Sequence, residues 1–182
     1  MKNSVRIIGG MFRGKKLQFP QSEHLRPTPD RVRETLFNWL MPSIRHAVCL
    51  DAFAGSGALG FEAISRGAEK VILIEQAPEV FDYLKKSAAS FATGNIEVYK
   101  NSALDYMKKT TQRFDIVFLD PPFAADYLEG CLQFLSKSPV LNPSGIVYIE
   151  SPTELQLDPN VWTELRLKKA GQVVYGLYQK SA

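Results

Sequence analysis

From Val48 onward, short continuous apolar runs alternate with helical stretches, and no other feature of the 182 residues restricts the architecture as much. The runs expected to form strands are Val48–Asp51, Val71–Glu75, Ile96–Lys100, Phe114–Asp120 and Ile146–Glu150. Helical patterns fall between them at roughly 58–67, 78–92, 103–110 and 126–137. Apolar runs without polar alternation are buried on both faces, so the chain predicts a mostly parallel sheet with helices on both sides. The end of the chain breaks this rhythm. "ELRLKKAGQVVYGLYQK" reads as two strands around Ala170-Gly171-Gln172 with no room for a helix, an antiparallel hairpin that completes a seven-stranded α/β sheet.

Residues 1–46 precede this pattern and differ from it in charge. They hold nine Lys/Arg against three Asp/Glu, whereas the remainder holds thirteen against sixteen, which gives the overall +3. One domain over 1–182 is expected, with a basic extension (1–46) on a catalytic core (47–182). A basic arm on an acidic body implies a polyanionic partner. Within it, "VRIIGGMFRGKKLQFP" reads as two short strands around Gly9-Gly10 or Arg13-Gly14. "RPTPDRVRETLFNWL" reads as a helix with Thr28 as cap, Pro29 in the first turn and Asp30 at the positive end of the dipole. Val32, Leu36 and Leu40 give that helix one buried face.

Cys49 and Cys131 sit in apolar surroundings without metal-ligand spacing, so a reduced, cytoplasmic protein with no metal is expected. No apolar run is long enough to span a bilayer, and Met1-Lys2-Asn3-Ser4 leads straight into a strand-like segment, which predicts neither membrane association nor a signal peptide. A monomer is expected.

The first strand of the alternating region runs into "LDAFAGSGALG", where Gly55, Gly57 and Gly60 match G-x-G-x-x-G. The match is weak alone, since any tight strand-to-helix turn favours glycine. Asp51 adds information: it lies before the glycines, at the strand's carboxyl end, where ligands of open α/β sheets bind. A carboxylate there suits an ammonium group better than a pyrophosphate. Glu75 ends "VILIEQ", a position from which an acid accepts both hydroxyls of an adenosine ribose. S-adenosylmethionine carries both groups. Either acid alone is better explained as a helix cap or a solvated strand end; together with the loop they favour the cofactor.

"LDAFAGSGALGFEAISRGA", "VILIEQ" and "FLDPPF", in this order, resemble the class I S-adenosylmethionine-dependent methyltransferases, whose core is Rossmann-like. "RIIGGMFRGKKL" and "LRPTPDRVRETLFNWL" narrow the resemblance to the RsmD family of 16S ribosomal RNA (guanine-N2)-methyltransferases, across essentially the whole chain. The resemblance implies methylation of one guanine, numbered 966 in the usual ribosomal RNA count, within the small subunit. It places Asp51, Phe53, Gly55 and Gly57 on the cofactor loop and Glu75 on the ribose. Ser102 and Ala103 fall where many such enzymes bind adenine through an acid, and the serine leaves open which atom holds it.

Asp120-Pro121-Pro122-Phe123 either stops a strand or holds a substrate. An exocyclic amine is a poor nucleophile because its lone pair is delocalised into the ring. A site that methylates it should accept its N–H bonds and favour a tetrahedral nitrogen. Asp120 and the Pro121 carbonyl offer acceptors on one arc stiffened by proline, and Phe123 offers a stacking face for a flipped base.

Arg6, Arg13, Lys15, Lys16 and Arg26 are the expected phosphate contacts, against a plain solubilising role for any one of them. Arg31 or Arg33 is expected to turn toward the cofactor site, while His24 and His46 receive no role. Removing residues 1–20 is expected to spare cofactor binding but abolish RNA methylation. The nearest rival is an adenine-N6 methyltransferase on DNA or RNA, which would use the same loop and D-P-P-F but usually needs a further target-reading domain. A nicotinamide-dependent oxidoreductase explains neither Asp51 nor D-P-P-F. A non-catalytic RNA-binding module leaves Asp120 unexplained.

Overall fold

A computed structural model describes residues 3–21, 25, 27–122 and 127–181. The expected parallel sheet is present. Its strands are β3 (Val48–Asp51), β4 (Lys70–Glu75), β5 (Ile96–Lys100), β6 (Phe114–Leu119), β7 (Leu141–Ser151), β8 (Trp162–Ala170) and β9 (Val173–Lys180), in the order β5-β4-β3-β6-β7-β9-β8. The first five pair in parallel, while β9 lies antiparallel to both β7 and β8. Gly171, at φ 60°, turns the closing hairpin where the sequence places it.

The helices α1 (Asp30–Leu40), α2 (Ala58–Ser65), α3 (Pro78–Ala89), α4 (Ala103–Lys109) and α5 (Tyr127–Lys137) match the helical patterns, with the expected ends trimmed. α2 stops at Ser65 because Gly67, at φ 103°, cannot continue it. β7 begins five residues before its expected start, across a register shift on β6 between Phe114 and Ile116. β6 ends at Leu119, so Asp120 opens the loop and does not belong to the strand.

Side chains alternate across the strands, so the sheet has two separate apolar faces. Cys49, Val71, Leu73, Ile116, Phe118 and Tyr148 pack with α1, α2 and α3. Leu50, Ile72, Val117, Leu119 and Ile149 pack with Met107 of α4 and Leu132 and Leu135 of α5.

The basic extension is not a detachable arm. Its strands β1 (Asn3–Arg6) and β2 (Lys16–Phe19) pair antiparallel, and Val5, Ile7, Leu17 and Phe19 are buried in the same cluster as α1 and α2. Gly10, at φ 77°, lets the hairpin turn lie directly on α2; a Cβ there would fall 1.8 Å from the Ser65 carbonyl oxygen. The docking is also polar. Glu62 of α2 is fully buried and accepts from the backbone N–H groups of Ile8 and Gly9 and from Arg66 Nε, each at 2.9 Å.

Arg33, equally buried, completes this network. Its guanidinium donates to Glu62, to Asp30 and to the carbonyls of Arg6 and Thr28. This corrects the expectation that Arg31 or Arg33 turns toward the cofactor site: Arg33 spends its donors tying the extension to α2, and Arg31 is exposed.

Candidate functional site

In the strand order β5-β4-β3-β6-β7, the chain winds outward from β3 to β5 and then returns to the other side at β6. The carboxyl ends of β3 and β6 therefore form the switch point where open α/β sheets bind ligands. Four acids line this edge, one per adjacent strand: Glu75 at the end of β4, Asp51 at the end of β3, Asp120 just after β6 and Glu150 near the end of β7. By strand parity all four belong to the face that carries Phe118 and Tyr148.

The two acids on the β4 and β3 side are held by backbone N–H groups. Glu75 accepts from Gly55 at 3.1 Å and from Ala77 at 2.8 Å, one bond to each oxygen. Asp51, 2 % exposed, accepts from Gly60 at 2.9 Å. Burial pushes the Asp51 carboxyl up to about 7; the Gly60 N–H opposes this and the Glu75 charge adds to it.

The glycines allow that geometry. Gly57, at φ 77°, caps α2, and a Cβ there would sit 2.3 Å from the Phe61 ring. A Cβ on Gly60 would meet Leu73 at 2.4 Å and the Asp51 carboxylate at 3.1 Å. Gly55, at φ 51°, leads into this turn, and half-buried Phe53 lies 6.0 Å, centroid to centroid, from Tyr127.

Each carboxylate oxygen keeps further lone pairs after these bonds, so the pair can still accept from an ammonium and a diol. The residues present fit S-adenosylmethionine on that ground. The Ser102 hydroxyl acts locally, accepting from Asp105 N–H at 3.2 Å and capping α4, while Ala103 is buried at the first turn.

On the β6 and β7 side the acids are held by hydroxyls. Thr28 Oγ1 donates to Glu150 Oε1 at 2.9 Å and lies 3.3 Å from Asp120 Oδ2. Tyr148, fully buried, donates to the same Glu150 oxygen at 2.8 Å. Thr28 is therefore not the helix cap that the sequence suggested: α1 is preceded by Pro29, no side chain caps it, and the hydroxyl points at the acids. Burial raises the Asp120 carboxyl well above its usual range, with the Glu150 and Asp51 charges adding to the effect. Burial raises Glu150 as well, against its two hydroxyl donors. Pro121 is buried and Pro122 exposed, whereas Phe123 lies outside the described residues.

The sequence alone does not mark Thr28 or Glu150 as site residues. A signal for Glu150 exists, because "IVYIE" ends an apolar strand in glutamate just as "VILIE" does.

Of the expected phosphate contacts, Arg6, Arg13 and Lys16 are exposed, and Arg26 lies outside the described residues. Lys15 is engaged: its ammonium donates to the Ser90 carbonyl at 2.7 Å and sits 4.8 Å from the Phe91 ring centroid. A groove of about 660 Å³ runs beside Arg6, Lys16, Phe19, Leu25 and Thr28, and so joins the basic hairpin to the hydroxyl that meets Asp120. Among the described residues there is no group of three or more potential metal ligands and no helix long and apolar enough to cross a membrane.

Comparison with known proteins gives a consistent picture. Residues 5–179 match the family described as Conserved hypothetical protein 95. A Haemophilus influenzae protein named Ribosomal RNA small subunit methyltransferase D is 46% identical over 183 residues, covering 98% of this chain and 95% of its own. The Escherichia coli K12 protein of the same name is 47% identical over 180 residues, covering 98% and 91%. The solved Escherichia coli yhhF structure superposes with a TM-score of 0.90 at 46% identity, covering 99% of each chain.

Proposed function

Since this chain belongs to the Conserved hypothetical protein 95 family, the RsmD family of ribosomal RNA methyltransferases, we propose that it methylates the exocyclic N2 amine of a guanine in 16S ribosomal RNA. S-adenosylmethionine-dependent methylation of RNA is the coarser activity, and the chain has it by family. The guanine at position 966 and the small subunit as substrate are the finer reading. The observation that carries methylation of an exocyclic amine is a half-buried Asp120, followed by two prolines, one strand away from Asp51; the guanine and its position rest on the resemblance to the RsmD family.

When bound, S-adenosylmethionine supplies a methyl group on a positively charged sulfur. The residues of this chain supply the rest. Asp51 receives the ammonium, Glu75 the ribose hydroxyls, Phe53, Gly55 and Gly57 shape the loop around them, and Ser102 and Ala103 border the adenine. Asp120 and the Pro121 carbonyl accept the N–H bonds of the guanine amine, which localises the nitrogen lone pair and aims it at the methyl. Phe123 offers the stacking face. Arg6 and Lys16 meet phosphates along the groove and Arg13 and Arg26 are further phosphate contacts, whereas Lys15 holds the hairpin to the body.

Ribosomal RNA from a strain lacking this protein should lose one N2-methylguanosine on nucleoside digestion, and the purified protein should restore it on small subunits from that strain. Restoration of N6-methyladenosine instead would replace the reading with the adenine alternative.

A further inference from the structure

Glu150 is a buried carboxylate that the methyl transfer as described above does not use. It is 6 % exposed, and the register that sets Leu119 beside Ile149 brings it next to Asp120. The two acids share one hydroxyl, and a threonine has a single proton to donate. The hydroxyl reaches both acids, at 2.9 Å to Glu150 and 3.3 Å to Asp120, so it shares its proton between them in favour of Glu150, and Tyr148 donates a second to the same Glu150 oxygen. Glu150 is thus doubly held, while Asp120 is left with the longer contact and a carboxylate beside it.

We propose that Glu150, acting through the Thr28 hydroxyl, is a positioning residue that orients Asp120 toward the amine and sets its basicity. The proposal rests on Asp120 as the acceptor of the guanine amine. Two like charges this close do not ionise independently, so the proton affinity of Asp120 depends on what Glu150 carries. Among the described residues, the groups that face Asp120 are Glu150 on β7, Asp51 on β3 and Thr28 ahead of α1; Tyr148 acts through Glu150, and Tyr175 of β9 faces Tyr148 at 6.4 Å. Arg33 also steadies the arrangement, since its Nε donates to the Thr28 carbonyl at 3.1 Å. Thr28 belongs to the extension, so docking of the hairpin on α2 and the set of Asp120 are coupled through one residue.

The test is the pH profile of single-turnover methylation of unmodified small ribosomal subunits at saturating S-adenosylmethionine. Glu150→Gln keeps an acceptor for Thr28 and Tyr148 but removes the charge, so the acid limb should move down by about one pH unit. Thr28→Val removes the hydroxyl that favours the ionised carboxylate in a side chain of similar shape, so its limb should move up, and Thr28→Ser should restore the wild-type limb. A purely structural role for Glu150 would lower the melting temperature and leave the limb in place. Unmoved limbs in Glu150→Gln and Thr28→Val, or shifts in the same direction, overturn the proposal. If Thr28→Val does not fold, the Glu150→Gln profile decides alone. Wild-type turnover by Asp120→Ala would remove the underlying reading; an inactive Asp120→Ala with an unmoved Glu150→Gln profile would remove only the role of Glu150.

Discussion

The acids proposed to hold the cofactor, Glu75 and Asp51, and those proposed to serve the substrate, Asp120 and Glu150, occupy one edge of one sheet but are held by different means. Glu75 and Asp51 accept from the N–H groups of Gly55, Ala77 and Gly60, which are fixed by the turn that follows β3 and by the start of α3. Asp120 and Glu150 meet the hydroxyls of Thr28 and Tyr148, which rotate and carry protons that can be shared. Fixed backbone dipoles suit a pair that must hold the same cofactor groups in every cycle. Adjustable hydroxyls suit a pair whose charge state matters during reaction. Carboxylates at the same sheet edge can thus be specialised by their donors alone.

The largest expected effect erases the difference. Deleting residues 1–20 removes four buried apolar side chains and two of the N–H donors to Glu62. Each such apolar loss costs about 2–5 kcal/mol, and together they match the whole stability of a typical domain. Circular dichroism should show no cooperative melting in the truncated chain. A folded truncation that still binds cofactor would return the extension to the status of a separable arm.

Next in size are changes that strike the cofactor side alone. Asp51→Ala and Glu75→Ala should each weaken S-adenosylmethionine binding about tenfold or more, by loss of charge-assisted hydrogen bonds. Calorimetry giving wild-type affinity for both would remove the cofactor assignment. Their pH dependence sharpens the contrast. With its carboxyl near 7, Asp51 is protonated below that value, and an arriving ammonium must displace the proton. Affinity should therefore rise with pH through about 7 and then level off. Asp51→Asn should lose that rise, and its persistence would assign the titration to another group.

The smallest effect lies outside both pairs. Replacing Arg13 and Lys16 by alanine should leave cofactor affinity alone and weaken RNA binding several-fold, with a salt dependence shallower by about one to two in slope. Lys15→Ala should instead lower the melting temperature, because its ammonium is tied to Ser90 and Phe91. Equal salt slopes in the wild-type and doubly substituted proteins would mean that neither Arg13 nor Lys16 meets phosphate.

The same contrast explains what is legible in the sequence. Asp51, the glycines and Glu75 follow local rules, in which a strand ends, a turn needs positive φ and a helix begins, so short motifs reveal them. The parallel sheet and its closing hairpin are legible for the same reason. The hydroxyl-held pair is assembled from Thr28, Asp120 and Tyr148–Glu150, which no local pattern connects. Thr28 misleads because Thr-Pro-Asp before an apolar periodicity fits a helix cap, and only the packing of the extension turns its hydroxyl toward the acids. Arg33 misleads similarly: its partner Glu62 lies within a helix whose residues are all buried, where sequence alone offers no reason to expect a charge pair.

The central claim is that Asp120 serves the amine and not the cofactor, and one variant can test it. Asp120→Ala should bind S-adenosylmethionine within about twofold of wild type, yet its single-turnover rate on unmodified small subunits should fall roughly a hundredfold or more. Asp120→Asn, which keeps an acceptor but cannot take a proton, should lie between the two. If Asp120→Ala methylates as fast as wild type, or if its defect disappears at saturating cofactor, the division of labour between the two pairs is contradicted.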